Sequence, residues 1–559
     1  MEKESSPADT PNLRLVKAAF PYLLYLVLIG YFYSFSQYGF NIWDEGGFAN
    51  GTLRTLNGQK ALEDFNPNGY LPGRYIYGAF FFKLFGVDIQ SLRLSVVVIT
   101  PAMIFMVYAI ARKIMPQGFA FLAALLMLSA PSMYYNRFFP FFTVLTLFCL
   151  LNALEHKRTR DFLFLGAAIL LAGFFKFEIA LIALLIAFTL LVIMAFKGKD
   201  PSTLEKQSNV KPVSPGLNLL TGVLSLSLGL AFIFTVGSFL QSGYFLKVFK
   251  LVVDAHNVWG NPFPEIFPFW TLIQKLGPHK MFERLLFYMP IWAYITVGIV
   301  VLRRIIKSKP MIATTELSLL TILSCGICVF GLVIWRAGFD NLLRTLPPFY
   351  ILFCYLLYLC REKLLAWQQR FVSSARSDSS IKKTPINVLI VFLPFLFVYE
   401  MNTQHGFYAG SIGAMTKETE QIELDRLQVF TNPQEAKWLR EVVDRIEIYT
   451  DRGDPILALP LNPVFYFLTD RINPTRYDWI LPGMLTVAEE QQMVAGLKTH
   501  PPKMIVYVDI PIDGKEERRL KNYAPLLYAF LLENYQFDES IGLFQILLPR
   551  KTQHNFKTI

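Results

Sequence analysis

Charge is scarce in this sequence. Only 17% of its 559 residues are Asp, Glu, Lys or Arg, against roughly 25% in soluble globular chains. Together with 53% hydrophobic residues, 15% aromatics and a mean hydropathy of +0.39, that shortage excludes a soluble enzyme built on one large core. Several runs instead approach the ~20 apolar residues that cross a bilayer. Cysteine is equally scarce: Cys149, Cys325, Cys328, Cys354 and Cys360 all lie in or beside apolar runs. Cys325 and Cys328 have redox or metal spacing, but "LLTILSCGICVFGLVIW" holds no further Cys or His, so they read as small residues inside a helix bundle. The outward-facing parts have essentially no cysteine and therefore use no disulfides.

A net charge of +11 raises the question of nucleic acid. No basic stripe with interleaved aromatics appears in a polar segment, however, which argues against a nucleic-acid partner. Much of the Lys and Arg lies in short clusters at the ends of apolar runs, as cytoplasmic loops of membrane proteins require. No Ala-x-Ala exit follows the first run, roughly Ala18 to Ser36, and the run is too long for a signal peptide; it reads as the first membrane helix. No internal repeat is visible.

What is present is a series of apolar segments whose flanking charges set an orientation. Lys17 places the N-terminus in the cytoplasm. Residues 37–93 then form an outer segment, within which "YLPGRYIYGAFFFKLF" reads as an interfacial helix. Further crossings are expected at about Leu94–Ile110, Phe119–Ala130 and Phe141–Leu154. A fifth reaches the outer face at "FKFE" and a sixth returns to "KGKD". The seventh, Leu217–Phe239, opens into a second outer segment, "DAHNVWGNPFPEIFPFW". The eighth ends at Arg303-Arg304, the ninth emerges at "WRAGFDNLLR", the tenth ends at "CREK" and the eleventh runs from Ile386 to Tyr399. About eleven crossings put every basic cluster on one side. From residue 401 the apolar runs shorten to strand length ("PILALP", "KMIVYV", "LFQILLP"), with amphipathic stretches at 433–447 and 486–498 between them. This reads as a small extramembrane α/β domain, 401–559, following a membrane domain, 1–400.

The first outer segment opens with "NIWDEGGF". Asp44 and Glu45 have two readings there: a solvated loop with a turn at Gly46-Gly47, or a functional pair. An ionised group tight against the membrane surface is costly, and a carboxylate there can act as general base on an acceptor hydroxyl. The same face carries Arg74, Arg137, Lys176, Arg336 and Arg344, at the outer ends of different helices. Each alone reads equally as a snorkelling or ion-paired side chain; together they suit a phosphate, which Arg grips bidentately and Lys as a point charge. In the outer domain, Arg471 and Arg476 of "RINPTRYD" either read the acceptor or belong to an Asx/Pro turn. His256 and His405 are lone histidines with a possible place at the site.

These parts carry a resemblance. Asp44-Glu45, Leu84-Phe85-Gly86 and Arg93-Leu94, in that order, resemble the GT-C glycosyltransferase superfamily, in the style of protein O-mannosyltransferases and aminoarabinose-transferase-like enzymes. The likeness is clearest over residues 16–195, and "FYFLTDRINPTRYDWILPG" resembles outer domains of some bacterial members. The resemblance implies inverting transfer of a sugar from a polyprenyl-phosphate donor to a glycan, lipid or protein acceptor, among membrane lipids. Asp44 would be the base and Glu45 would assist the acceptor. The other cations would hold the donor phosphate, with His256, Arg471 and Arg476 toward the acceptor. Many relatives have a second acid in the next outer loop, where "MYYNRFFPFF" has none; hard cations want carboxylate oxygens, so no cofactor is expected, with a divalent metal left open. A bacterial cytoplasmic membrane facing the periplasm fits the compact loops, an endoplasmic reticulum membrane being the alternative. A flippase of lipid-linked sugars is the competing function; it would predict charges midway along helices and paired halves, neither of which is visible.

Overall fold

The computed structural model describes residues 11–67, 70–129, 134–197, 261–307, 314–334, 336–374, 384–404 and 411–550. Helices occupy the expected crossings: Pro11–Ser34, Ile89–Val97 with Thr100–Arg112, Gln117–Leu126, Phe138–His156, Thr159–Phe175, Phe177–Lys197, Pro278–Lys307, Thr314–Ile334, Pro347–Ser374 and Thr384–Gln404. The seventh expected crossing, Leu217–Phe239, lies outside the described residues, as do His256 and His405. By length and composition alone, four spans among the described residues can cross a membrane unaided: Ile89–Arg112, Tyr134–His156, Pro278–Lys307 and Thr314–Ile334. Gln117–Leu126, at 10 residues, extends only about 15 Å, half of the hydrocarbon core. The chain is an integral membrane protein whose helices are unequal in length.

Local chemistry sets the boundaries near the outer face. Asp88 caps the second crossing by accepting from the Ser91 amide at 2.6 Å, which starts the helix five residues before the apolar run does. The expected interfacial helix forms at Pro72–Phe85, with proline in its first turn. It buries Arg74, Tyr75, Phe81 and Phe82 and exposes Ile76, Phe80, Leu84 and Phe85. That two-sided apolar character suits a helix with protein on one side and lipid on the other.

Beyond residue 411, β1 (Glu420–Leu424) and β2 (Leu427–Thr431) form an antiparallel hairpin. A second sheet has the order β3-β4-β6-β5, with β3 (Ile456–Leu459), β4 (Met504–Tyr507), β5 (Tyr535–Ile541) and β6 (Phe544–Pro549). Strands β3 and β4 are parallel and buried along their whole length, as apolar runs without alternation should be. The amphipathic stretches become helices Pro433–Tyr449 and Val487–Thr499. Asn432 caps the first, and the reciprocal Thr486–Glu489 box caps the second.

This domain grips the first outer segment. Gly39 N–H donates to Phe430 O at 2.9 Å and Phe430 N–H to Gln37 O at 2.7 Å. Asn66 N–H donates to Arg476 O at 2.7 Å, and Arg54 pairs with Asp478 at 2.7 Å. One apolar cluster runs from residues of the first outer segment such as Phe48 and Phe82 to Val464 and Phe465 of the outer domain.

The Gly46-Gly47 pair explains itself here, and it is not a turn. Both residues lie in the first coil of helix Asp44–Leu56. A Cβ on Gly46 would stand 2.6 Å from Val464 Cβ, and one on Gly47 would stand 1.8 Å from the Trp479 ring. Glycine is required because the outer domain packs on the helix backbone itself. Gly47→Ala is therefore expected to cost about 1–3 kcal/mol by overpacking, read as a lowered Tm of the detergent-solubilised protein; an unchanged Tm would mean that Trp479 moves aside freely.

Candidate active site

Asp44 opens the helix Asp44–Leu56. Asn41 turns the chain into it, its Oδ1 accepting from the amides of Trp43 at 3.1 Å and Asp44 at 2.8 Å. A carboxylate in this first turn meets the positive end of the helix dipole. Asp44 is half-buried, and burial raises its pKa above the ordinary value. The Tyr135 hydroxyl, the charges of Arg336 and Arg74, and the Asn41 side chain pull in the opposite direction without reversing the shift. The result is a carboxylate more basic than one in water, held by a hydroxyl and faced by two guanidinium groups.

Arg74 is the most telling of the cations. It is 1% exposed, yet among the described residues none of its three guanidinium nitrogens has a hydrogen-bond partner. The group lies over the rings of Tyr70 at 3.7 Å, Phe48 at 4.2 Å and Tyr75 at 4.9 Å. Aromatic faces tolerate a cation but leave its directional donors unused, and buried donors are costly to leave so. Lys176, 8% exposed, places its ammonium 4.3 Å from the same Tyr70 ring. The two are brought together because Gly73 packs directly on the Phe174 carbonyl, where a Cβ would come within 2.6 Å. Burial pushes the Lys176 pKa down to about 8; Glu178 opposes this, while Arg344, Arg74 and Arg336 add to it.

Arg336 and Arg344 belong to this group as well. Both act electrostatically on Tyr70 and on Lys176, and Arg344 lies 4.9 Å from the Phe139 ring. Between them stands Asp340, whose pKa is raised to about 6, first by burial and then by the charge of Asp44, against the pull of Arg344 and Arg336. The loop "MYYNRFFPFF" has no acid; among the described residues, Asp340 of the loop after the ninth crossing acts on Asp44 instead. Among the described residues, no group of three His, Cys, Asp or Glu is placed to hold a metal ion.

Four of the residues that the sequence singles out are engaged elsewhere. Glu45, expected to assist the acceptor, is 2% exposed and forms a bidentate pair with Arg93, Nε–Oε1 2.6 Å and Nη2–Oε2 2.7 Å. Arg93 also donates to Gly39 O at 2.6 Å and to Ser36 O. Arg137, expected at the donor phosphate, sits with that pair, 4.2 Å from the Tyr134 ring that Arg93 also faces at 4.6 Å. Consecutive helical side chains point about 100° apart, so Asp44 and Glu45 cannot share a target. Arg471, 7% exposed, donates to Thr450 Oγ1 at 3.0 Å and to the carbonyls of Thr450 and Thr469. It braces the outer domain, while Arg476 donates to Leu62 O at 3.2 Å and ties that domain to the first loop.

The sequence does not single out Tyr70, Tyr135 or Asp340 as site residues. The first two are tyrosines among many in aromatic-rich loops, and Asp340 stands between two arginines with nothing local to pair it with Asp44.

Residues 73–205 match the family model described as dolichyl-phosphate-mannose-protein mannosyltransferase. No curated protein sequence matches the chain. Among solved structures, the chain is similar to ArnT from Cupriavidus metallidurans in the apo state, with 14% identity, a TM-score of 0.52, and coverage of 95% of this chain and 98% of that one. It is also similar to ArnT from Cupriavidus metallidurans bound to undecaprenyl phosphate, with 13% identity, a TM-score of 0.51, and coverage of 96% and 99%. At such identity the likeness speaks for the fold, and it extends over the membrane helices and the outer domain alike. The family match covers the interfacial helix and the spans that follow, and over nearly its whole length the chain has the fold of the ArnT structures.

Proposed function

We propose that the protein transfers a sugar from a polyprenyl-phosphate donor to an acceptor hydroxyl at the outer face of the membrane, with inversion at the anomeric carbon and Asp44 as general base. The observation that carries this reading is Arg74: a fully buried guanidinium whose three nitrogens have no hydrogen-bond partner among the described residues, beside Tyr70 and Lys176 and facing the Asp44 carboxylate. A phosphate oxygen satisfies such donors directly. The likeness to a protein crystallised with undecaprenyl phosphate supports the same ligand class.

In the reaction, the acceptor oxygen forms a bond to the anomeric carbon as its proton passes to Asp44. The bond between that carbon and the phosphate oxygen breaks on the opposite face, and the lipid phosphate leaves with the bonding electrons. Arg74 and Lys176 stabilise the charge growing on the phosphate, with Arg336 and Arg344 adding positive potential. Because lipid phosphate is already a competent leaving group, alignment and one base are enough. A single displacement inverts the configuration. Orientation toward the bacterial periplasm fits the compact outer loops.

Arg74→Ala tests the donor half of the reading. Losing a charged hydrogen-bonding group of 1.5–3 kcal/mol should weaken binding of undecaprenyl phosphate about 10- to 100-fold, measured on purified protein in nanodiscs, with the melting curve retained. Equal binding by wild type and variant would remove Arg74 from the clamp. Release of labelled lipid phosphate and sugar transfer, followed over a panel of polyprenyl-phosphate sugars, tests the reaction itself.

A further inference from the structure

A cavity of about 300 Å³ lies between the second outer segment, the helix Pro278–Lys307 and the loop after the ninth crossing. Its lining includes Leu276, Lys280, Glu283, Arg284, Phe287 and Phe339. Four of these, Lys280, Glu283, Arg284 and Phe287, follow one another at helical spacing along one face of Pro278–Lys307. Phe339 is the immediate neighbour of Asp340, and Glu283 is close enough to Asp340 to act on its charge. The cavity thus adjoins Asp340, while Arg74, Tyr70 and Lys176 do not line it.

The chemistry of this wall differs from that of the clamp. Around Arg74 the donors are unmatched, which suits an anion. Here Lys280 is matched by Glu283 at 2.7 Å, and Arg284 donates to Glu265 O at 2.8 Å. Donors and acceptors alternate on one side, and phenylalanine rings line the rest. The walls are also fixed: Phe263 packs edge-on against Phe287 at 5.5 Å, and Tyr288 donates to Pro264 O at 2.8 Å. Both cations already donate to protein acceptors, and such a wall beside apolar rings favours a hydroxyl-rich ligand over an anion; ligand pockets begin at about 300 Å³, which is room for one sugar ring.

We infer that this cavity is an acceptor subsite that takes a neutral pyranose or furanose unit and presents one of its hydroxyls toward Asp44. The inference rests on the proposed transfer to a hydroxyl and deepens it by naming the acceptor's class: a glycan or glycolipid terminus. Glu283 accepts from the sugar's hydroxyls, Arg284 donates to them, and the Phe339 ring covers an apolar face.

The test is saturation-transfer NMR on the full chain in nanodiscs, with methyl glycosides of common hexoses and pentoses as probes. Wild type is expected to bind at least one, and Arg74→Ala should bind it equally. Glu283→Gln and Arg284→Lys should each weaken it by about tenfold while leaving undecaprenyl phosphate binding and the melting curve unchanged. Binding of no glycoside, or binding untouched by both variants, overturns the inference; so does preference for methyl phosphate or an acidic peptide over every glycoside. Failure of the donor reading shows separately, as wild type that does not bind undecaprenyl phosphate whatever the glycosides do.

Discussion

Asp44→Asn is expected to lower the rate of sugar transfer by about 10²- to 10⁴-fold, the range a positioned general base contributes. The amide keeps the size of the carboxylate and its contacts with Tyr135 and Asn41, so undecaprenyl phosphate should still bind and the loss should fall on the catalytic step. The pH dependence adds a second check. Asp44 works only when deprotonated, and burial raises its pKa, so the rate should climb with pH along a limb placed above the ordinary carboxylate range. Lys176 holds phosphate only when protonated, and its pKa is pushed down to about 8, so kcat/KM should fall again as pH rises past that value. A bell-shaped profile is the expected result, because kcat/KM reports the free protein. A profile flat from about pH 5 to 9, or an Asn variant as fast as wild type, would contradict Asp44 as the base.

Arg93→Met should be the most destabilising of the substitutions considered, at about 3–5 kcal/mol, because it leaves the Glu45 carboxylate buried without its partner. Arg93 and Glu45 are 1% and 2% exposed, and Arg93 also holds the carbonyls of Gly39 and Ser36. The pair therefore fixes the chain between the first crossing and Asp44. Adding Glu45→Leu to Arg93→Met removes the stranded charge and should restore part of the loss. Denaturant titration in detergent measures both variants. A loss under about 1 kcal/mol for Arg93→Met would show that water reaches Glu45 and that the pair is not dry. Transfer should fall as well, since the residue next to Glu45 is the proposed base.

The purposes that adjacent residues serve could not be separated from the sequence alone. "DEGG" reads as two carboxylates and a turn; folded, it is one carboxylate facing the site, one locked in an ion pair, and two glycines against Val464 and Trp479. The partner of Glu45 lies 48 residues away and the rings that demand Gly47 lie in the outer domain. Likewise "YYNRFF" displays Arg137, whereas the residue that touches Asp44 is Tyr135, because the arginine side chain points back to Tyr134 and Arg93.

The sequence by itself determined what depends on near neighbours. Apolar run length and flanking charge located the described membrane helices, short apolar runs located β3, β4 and β6, and an acid at the exit of the first crossing located Asp44. These signals are local because burial and capping act on a few consecutive residues. Tertiary structure alone decided which charges meet. Arg74, Lys176, Arg336 and Arg344 converge on one place while Arg137 does not, and Asp340 arrives from a loop nearly 300 residues after Asp44. The physical reason is that a charge at a helix end finds its partner through the packing of whole helices, and the contacts that set that packing are spread along the entire chain.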